Sequence, residues 1–368
     1  MDFVTVEGRA LKSVMAALLS AADLRCKIPA LACVKLSLSE AGLTLEATNL
    51  DLAVTARLDV IDGYGEWTML LPVHQLEAIA RVAGPMPMRI ERGAPASIVL
   101  GDGEARYTLE ALPAADFPQF PVEAGELVER FTNGMLPGLL AKVAPFVSYE
   151  ETRYYLNGVY WHRGAHGACL VATDGHRLGR CNYTREPCAD LKAIIPRDAI
   201  NLISRHLQRC DISVHASKKP GQGLVFASEG LTIATKLIDG VYPDYERVVP
   251  SEGTFVLALK RPDILAGVAR IAALGREKFW SIKFEAQDGR CAITRKIDAG
   301  AVIVPLSTDW PTQDGKAMAP FGLNGSCLAE MAHDCEGDIA LGLTDPSAPI
   351  LIRDQDPSMT RVLMPRRV

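Results

Sequence analysis

No stretch of the sequence reaches the ~18 consecutive apolar residues of a helical membrane span, which sets aside a membrane-embedded helical protein. The opening Met1-Asp2-Phe3-Val4-Thr5 lacks the basic and apolar regions of an export signal, so the cytoplasm is the expected compartment. Nine cysteines are present, yet none forms Cys-x-x-Cys. That spacing argues against a zinc ribbon or a thiol-redox motif and reads as reduced packing residues. Catalytic signatures are missing too: there is no Gly-x-Ser-x-Gly elbow, no His-Glu-x-x-His and no phosphate loop, and Gly101-Asp102-Gly103 and Gly221-Gln222-Gly223 are lone turns. The best case for an enzyme is Asp174 and His176 beside Cys169 or Cys181, a spacing poor for a thiol nucleophile or a metal site. Catalysis, cofactor and metal are therefore not expected. Positive charge is not in excess either: 39 Lys and Arg face 44 Asp and Glu, a net charge of -5, whereas a dedicated duplex reader has a strongly basic domain. A chain acidic outside and basic on one inner face stays compatible with that total.

What is present is core-forming material, with 48% hydrophobic and 23% charged residues. At ~100–200 residues per domain, 368 residues make two or three domains. Amphipathic segments start near positions 9, 73, 134, 196, 260 and 323, an interval of about 60 residues that marks an internal repeat. Between them lie alternating runs closed by turn residues, such as Val34-Lys35-Leu36-Ser37-Leu38 before Ala41-Gly42, and Ser281-Ile282-Lys283-Phe284-Glu285 before Asp288-Gly289. One helix plus an antiparallel hairpin set per unit, and two units per domain, predict an α+β chain of three similar domains, each with two helices on an antiparallel sheet. The turn-rich segments 118–126 and 249–253 place the domains at 1–121, 126–250 and 251–368. Periodicity alone leaves open three unrelated α+β domains whose helices happen to be evenly spaced.

Several segments carry a resemblance to a known family. Arg153-Tyr154-Tyr155-Leu156-Asn157-Gly158, Ala172-Thr173-Asp174-Gly175-His176-Arg177-Leu178, the segment 239–250 and the closing Val362-Leu363-Met364-Pro365 stand in that family's order and spacing. In the first third, Thr48-Asn49-Leu50-Asp51-Leu52 and the segment 111–118 are similar as well. On these residues the chain resembles the bacterial DNA polymerase III beta subunit, the β sliding clamp family. The resemblance implies a DNA clamp fold, a head-to-tail homodimer closing into a ring around double-stranded DNA, and a non-catalytic processivity factor for DNA replication. It also implies partners that share one peptide groove: the DNA polymerase III alpha subunit, the clamp loader delta subunit, and other DNA polymerases and repair proteins.

Carried over residue by residue, the groove comprises Leu156, Thr173, Gly175, His176, Arg177, Leu178, Pro243, Arg247, Val248, Val362, Leu363, Met364 and Pro365. An apolar set with an adaptable methionine and a few orienting cations suits an extended peptide. The implied DNA contacts are Arg25, Tyr154 and Tyr155, joined by helix cations that would face the phosphates: Lys142, Arg197 and Arg205, with Arg9, Lys12, Arg209, Lys260, Arg261 and Arg270 as further candidates. Ring closure is expected at Tyr107 and Leu109 on one side and at Ala273 and Leu274, with Arg276-Glu277-Lys278, on the other. The sequence departs from the family pattern at four places: Glu150 where an uncharged or basic residue is expected, the small Ala273, Thr294-Arg295-Lys296 in place of an acidic run, and the basic ending Arg366-Arg367-Val368. Glu150, Ala273 and Lys296 motivate an alternative, a specialised or resistance-type clamp paralogue acting mainly as a protein-binding module, and the basic ending bears on the preference among partner peptides.

Overall fold

Alternation decides the strands. Along Gly42–Thr48, Leu43, Leu45 and Ala47 are buried while Thr44 and Glu46 are less so, and Leu52–Leu58 buries every second residue in the same way. A period near 3.6 decides the helices: in α1 (Gly8–Ala21), Leu11, Met15 and Leu18 fall on one stripe and are essentially inaccessible. Removing each such leucine from water contributes roughly 1.5–3 kcal/mol. The computed structural model describes residues 2–83, 86–93, 96–250, 252–273, 275, 280–297 and 300–368. Within them the remaining helices are α2 (Val73–Val82), α3 (Met135–Val143), α4 (Arg197–His206), α5 (Arg261–Ala272) and α6 (Gly325–Asp334). All six begin within about two residues of the positions the 60-residue interval predicts.

Local chemistry explains several ends. The Asn324 side chain accepts hydrogen bonds from the amides of Ser326 (3.0 Å) and Cys327 (3.4 Å), capping α6. Pro262 occupies the first turn of α5, where its missing N–H costs nothing. The opposite end of α6 is closed by Arg261, whose guanidinium donates to the carbonyls of Ala332 (2.9 Å) and His333 (2.6 Å).

The fold is α+β with antiparallel sheets, and the chain divides into two compact units. The first comprises residues 1–138 and 195–238. It holds a five-stranded sheet, ending in Arg106–Glu110, and a nine-stranded sheet in which Leu231–Lys236 pairs with Leu52–Leu58, Ile233 opposite Val54. Within this unit α1 packs against α2 and against the strands Gly42–Thr48 and Leu52–Leu58. The second unit comprises residues 139–194 and 239–368. It holds a four-stranded sheet, ending in Gly300–Asp309, and an eight-stranded sheet in which Arg177–Thr184 pairs with Met359–Leu363, Leu178 opposite Val362. Both large sheets recruit strands from the middle third of the sequence, so main-chain hydrogen bonding carries each compact unit across the sequence segments. Among the described residues no helix is long and apolar enough to cross a membrane.

Candidate functional site

The turn between the strands Gly167–Thr173 and Arg177–Thr184 is built almost entirely from its own side chains. Thr173 Oγ1 donates to the Arg177 carbonyl (2.7 Å) and accepts from the Gly175 amide (3.1 Å). Asp174 Oδ1 accepts from the amides of His176 (2.9 Å) and Arg177 (3.0 Å). Gly175 has φ +86°, a backbone conformation that favours glycine, and the end of the Arg153 side chain lies where a Cβ on it would project.

A turn so constrained delivers Arg177 at a fixed angle. Its guanidinium donates to Asp174 Oδ2 (3.1 Å), Glu330 Oε2 (2.5 Å) and the Pro145 carbonyl (2.9 Å), and lies 5.7 Å from the Phe146 ring centre. Burial works against its charge, but the hydrogen bond to Glu330 and the charges of Glu330 and Asp174 outweigh that and hold the pKa above the ordinary arginine value. The neighbouring strand Met359–Leu363 continues past its end: the Met364 amide donates to the His176 carbonyl (2.9 Å), and the Arg366 amide donates to the Gly322 carbonyl (2.8 Å). On the other flank, Tyr242 stacks on Tyr160 with ring centres 4.6 Å apart, and Tyr245 Oη lies 2.9 Å from His162 Nδ1, which together anchor the segment carrying Pro243 and Val248.

These pieces enclose two cavities in the second unit. The first, about 270 Å³, is lined by Leu156, Thr173, Gly175, Arg177, Leu178, Pro243, Val248, Val362 and Met364, nine of the residues expected from sequence. Arg153, Tyr155, Asp244 and Tyr245 complete its wall. The second, about 720 Å³, contains His176 and Pro365 and shares Arg153, Arg177 and Met364 with the first, so the two form one groove pinched at those side chains. Asn324, Ser326, Cys327 and Glu330 at the start of α6, and Arg366, form its far wall.

Two expected groove residues line neither cavity. Leu363 is fully buried, because strand alternation turns it to the face opposite Val362 and Met364. Arg247 extends into solvent and pairs with Asp244 at 2.8 Å. Tyr155, assigned to DNA from sequence, lies in the groove wall, while its edge-on partner Tyr154 is exposed. Glu330 escaped notice because nothing in the sequence near α6 marks it, and its role exists only through Arg177.

The expected DNA-facing cations are of three kinds. Arg25 and Arg205 are exposed, and Arg197 is half-buried at the start of α4. Lys142 is already committed: it pairs with Asp356 at 2.6 Å and donates to Ser358 at 3.3 Å, so its charge is neutralised within the protein. Of the further candidates, Arg9, Lys260, Arg270 and Arg209 are exposed, Lys12 donates to the Arg81 carbonyl (3.2 Å), and Arg261 is occupied at the end of α6. The departure at Glu150 is not a bare carboxylate. Thr152 Oγ1 donates to it at 2.6 Å and Arg153 Nε at 2.7 Å, and these hydrogen bonds hold its pKa below the usual carboxylate range.

Tyr107 and Leu109 share one face of Arg106–Glu110, a strand that among the described residues pairs only with Ser97–Gly101 and so leaves an open edge. Ala273 is exposed just beyond α5, while Leu274 and Arg276-Glu277-Lys278 lie outside the described residues. The strand Gly300–Asp309, not singled out from sequence, is an edge of the four-stranded sheet and pairs, among the described residues, only with Arg290–Ile297.

The profile of the DNA polymerase III beta subunit N-terminal domain matches residues 1–121, and that of its central domain matches residues 132–244. The beta sliding clamp of Caulobacter vibrioides (strain NA1000 / CB15N) is 31% identical over 99% of this chain and 100% of its own length. That of Escherichia coli K12 is 26% identical over 94% of each. Among solved structures, Caulobacter crescentus pol III beta superposes with a TM-score of 0.88 at 29% identity, covering all of both chains. The DNA polymerase III subunit beta from Pseudomonas aeruginosa reaches 0.91 at 23% identity, also covering both chains in full, and shows the shared fold. By sequence along its whole length and by fold, the chain belongs to the family of bacterial DNA polymerase III beta subunits, the beta sliding clamps.

Proposed function

We propose that this protein acts in the cytoplasm as a sliding clamp: two copies, head to tail, encircle duplex DNA and tether the replicative polymerase for processive synthesis. The observation that carries the reading is the groove around Arg177, Met364 and Val362, a pinched apolar trough of the kind that takes a short extended peptide. Its occupants, in turn, are segments of the DNA polymerase III alpha subunit, the clamp loader delta subunit, and other DNA polymerases and repair proteins. Tethering is mechanical work and asks for no cofactor. In this reading the chain is organised as domains 1–121, 126–250 and 251–368, and the open edges at Arg106–Glu110 and Gly300–Asp309 meet in the dimer by strand pairing supported by Tyr107 and Leu109. Arg25, Tyr154, Arg197 and Arg205 are proposed to meet the DNA backbone without reading bases. A match running the full length of a beta sliding clamp does not favour the specialised or resistance-type paralogue.

The test is retention on circular against linearised DNA after loading, with mass read by light scattering on the same sample. A dimer that stays on circles and leaves cut ends supports topological binding. Equal retention on both, or a monomer that never loads, would sink the clamp reading.

A further inference from the structure

One further cavity in the second unit, of about 390 Å³, belongs to neither half of the groove. It lies on the same sheet face, behind the short 3-10 helix Tyr245–Val248, and Tyr245 is the one lining residue it shares with the first groove cavity. Its floor is a row across three strands, with His162 opposite Cys169 and Cys169 opposite Asn182. Tyr245 caps that row, its hydroxyl 2.9 Å from His162 Nδ1 and 3.4 Å from Cys169 Sγ. His166 and Arg185, both exposed, stand at the mouth.

Arg180 lines the cavity next to this row and is half-buried. Its Nε is shut off from solvent and has no hydrogen-bond partner, and neither Arg180 nor Arg185 takes part in an ion pair among the described residues. The charge of Arg180 is felt inside: burial raises the pKa values of the Cys169 thiol and the Tyr245 hydroxyl, and Arg180 pulls against that rise. The lining has one carboxylate, the exposed Glu246, while Asp190 lies beside Gly164 and outside the lining. Holding a guanidinium nitrogen away from water without a partner is unfavourable, and an anion entering the cavity offsets that cost.

The donors stand on separate walls, Arg180 and Asn182 on the floor and Arg185 and His166 at the mouth. A tetrahedral oxyanion can accept from several directions at once, whereas a planar carboxylate answers a single fork. The volume is that of a small-ligand pocket, so the oxyanion would carry an organic body. We propose that this cavity binds a small phosphate monoester, its phosphate on Arg180 with Arg185 and His166 closing over it. The site stands apart from the peptide groove and does not depend on that reading.

The experiment is calorimetric titration of the full-length protein with phenyl phosphate at low salt, with benzoate and phenol as matched carboxylate and neutral probes, in parallel with Arg180→Gln and Arg185→Gln. The native chain is expected to bind phenyl phosphate in preference to both other probes. Arg180→Gln should weaken that binding about tenfold or more, and the exposed Arg185→Gln about twofold to fivefold. Urea unfolding of each variant checks that it is folded, and if Arg180→Gln is not, Arg185→Gln decides. No binding by the native chain, or benzoate bound as tightly as phenyl phosphate, overturns the proposal. So does equal binding by the native chain and the folded variants, which would place the phosphate in the groove or on the helix cations.

Discussion

Arg177 and Glu330 stand 153 positions apart in the sequence and 2.5 Å apart in the fold. One closes a hairpin turn and the other lies on α6, so the pair joins two distant segments of the second unit directly beneath the groove. The two partners differ in burial: the Arg177 side chain is 12% exposed and that of Glu330 is 59% exposed. That asymmetry gives the two ends of the pair different weights.

Arg177→Ala removes donors from Asp174, Glu330 and the Pro145 carbonyl at once, and is expected to cost about 1–3 kcal/mol in urea unfolding. Glu330→Ala leaves Arg177 still bonded to Asp174 and Pro145, and its exposed carboxylate is worth less than about 1 kcal/mol. Equal losses from the two substitutions would show that Glu330, and not the turn, holds Arg177 in place.

At Gly175, an alanine has to adopt φ +86° and displace the Arg153 guanidinium. The backbone conformation alone costs about 1–3 kcal/mol. Gly175→Ala should therefore lower the unfolding midpoint and weaken peptide binding together. A variant of unchanged stability and unchanged affinity would contradict the account of the turn.

Met364 is held at the pinch of the groove by the hydrogen bond its amide donates to the His176 carbonyl. Met364→Ala, or removal of residues 364–368, is expected to weaken partner-peptide binding about tenfold while light scattering still reports a dimer. Loss of the dimer in place of loss of binding would count against the groove assignment.

The Lys142–Asp356 pair predicts a pH dependence. For Asp356, burial raises the pKa, but hydrogen bonds from Lys142 and Ser358 win and leave it lowered. A depressed carboxylate contributes stability above its unfolded value of about 3.9, and that stability is lost as pH falls through the lower folded pKa. For Lys142 burial opposes the charge, and the hydrogen bond and charge of Asp356 leave the pKa raised, so its share is present below about 10.4 and fades as pH rises through the higher folded pKa. Asp356→Asn should thus be less stable than the native chain at neutral pH, and the gap should close at pH values below about 4. A gap that stays constant into acid would exclude the ion pair as its source.

Much of the secondary structure was legible because its determinants are local. The starts of α1 to α6 follow from apolar spacing, Pro262 and the capping Asn324, and the hairpins follow from alternation closed by residues such as Gly42 and Gly289, both at positive φ. The groove was legible in part, since the motif around Thr173, Gly175 and Arg177 specifies its own turn. The placing of Leu363 went wrong although alternation with Val362 and Met364 held the answer, because the tail was treated as one apolar segment and not as a strand with two faces. That Tyr155 also lines the groove wall had no signal in the sequence, because the 3-10 helix Glu151–Leu156 gives no period from which to infer a direction.

By itself the sequence determined the α+β elements, their repeat, the self-contained turn beneath the groove and the family resemblance, because backbone preference and side-chain alternation act over a few residues. Only the tertiary structure decided which strands complete which sheet, that Leu178 meets Val362 and Ile233 meets Val54, that Lys142 is spent on Asp356, and that Arg177 reaches Glu330. Those outcomes depend on where segments far apart in the chain come to rest, and on competition among charges for the same partners. Neither is encoded in any short run of residues.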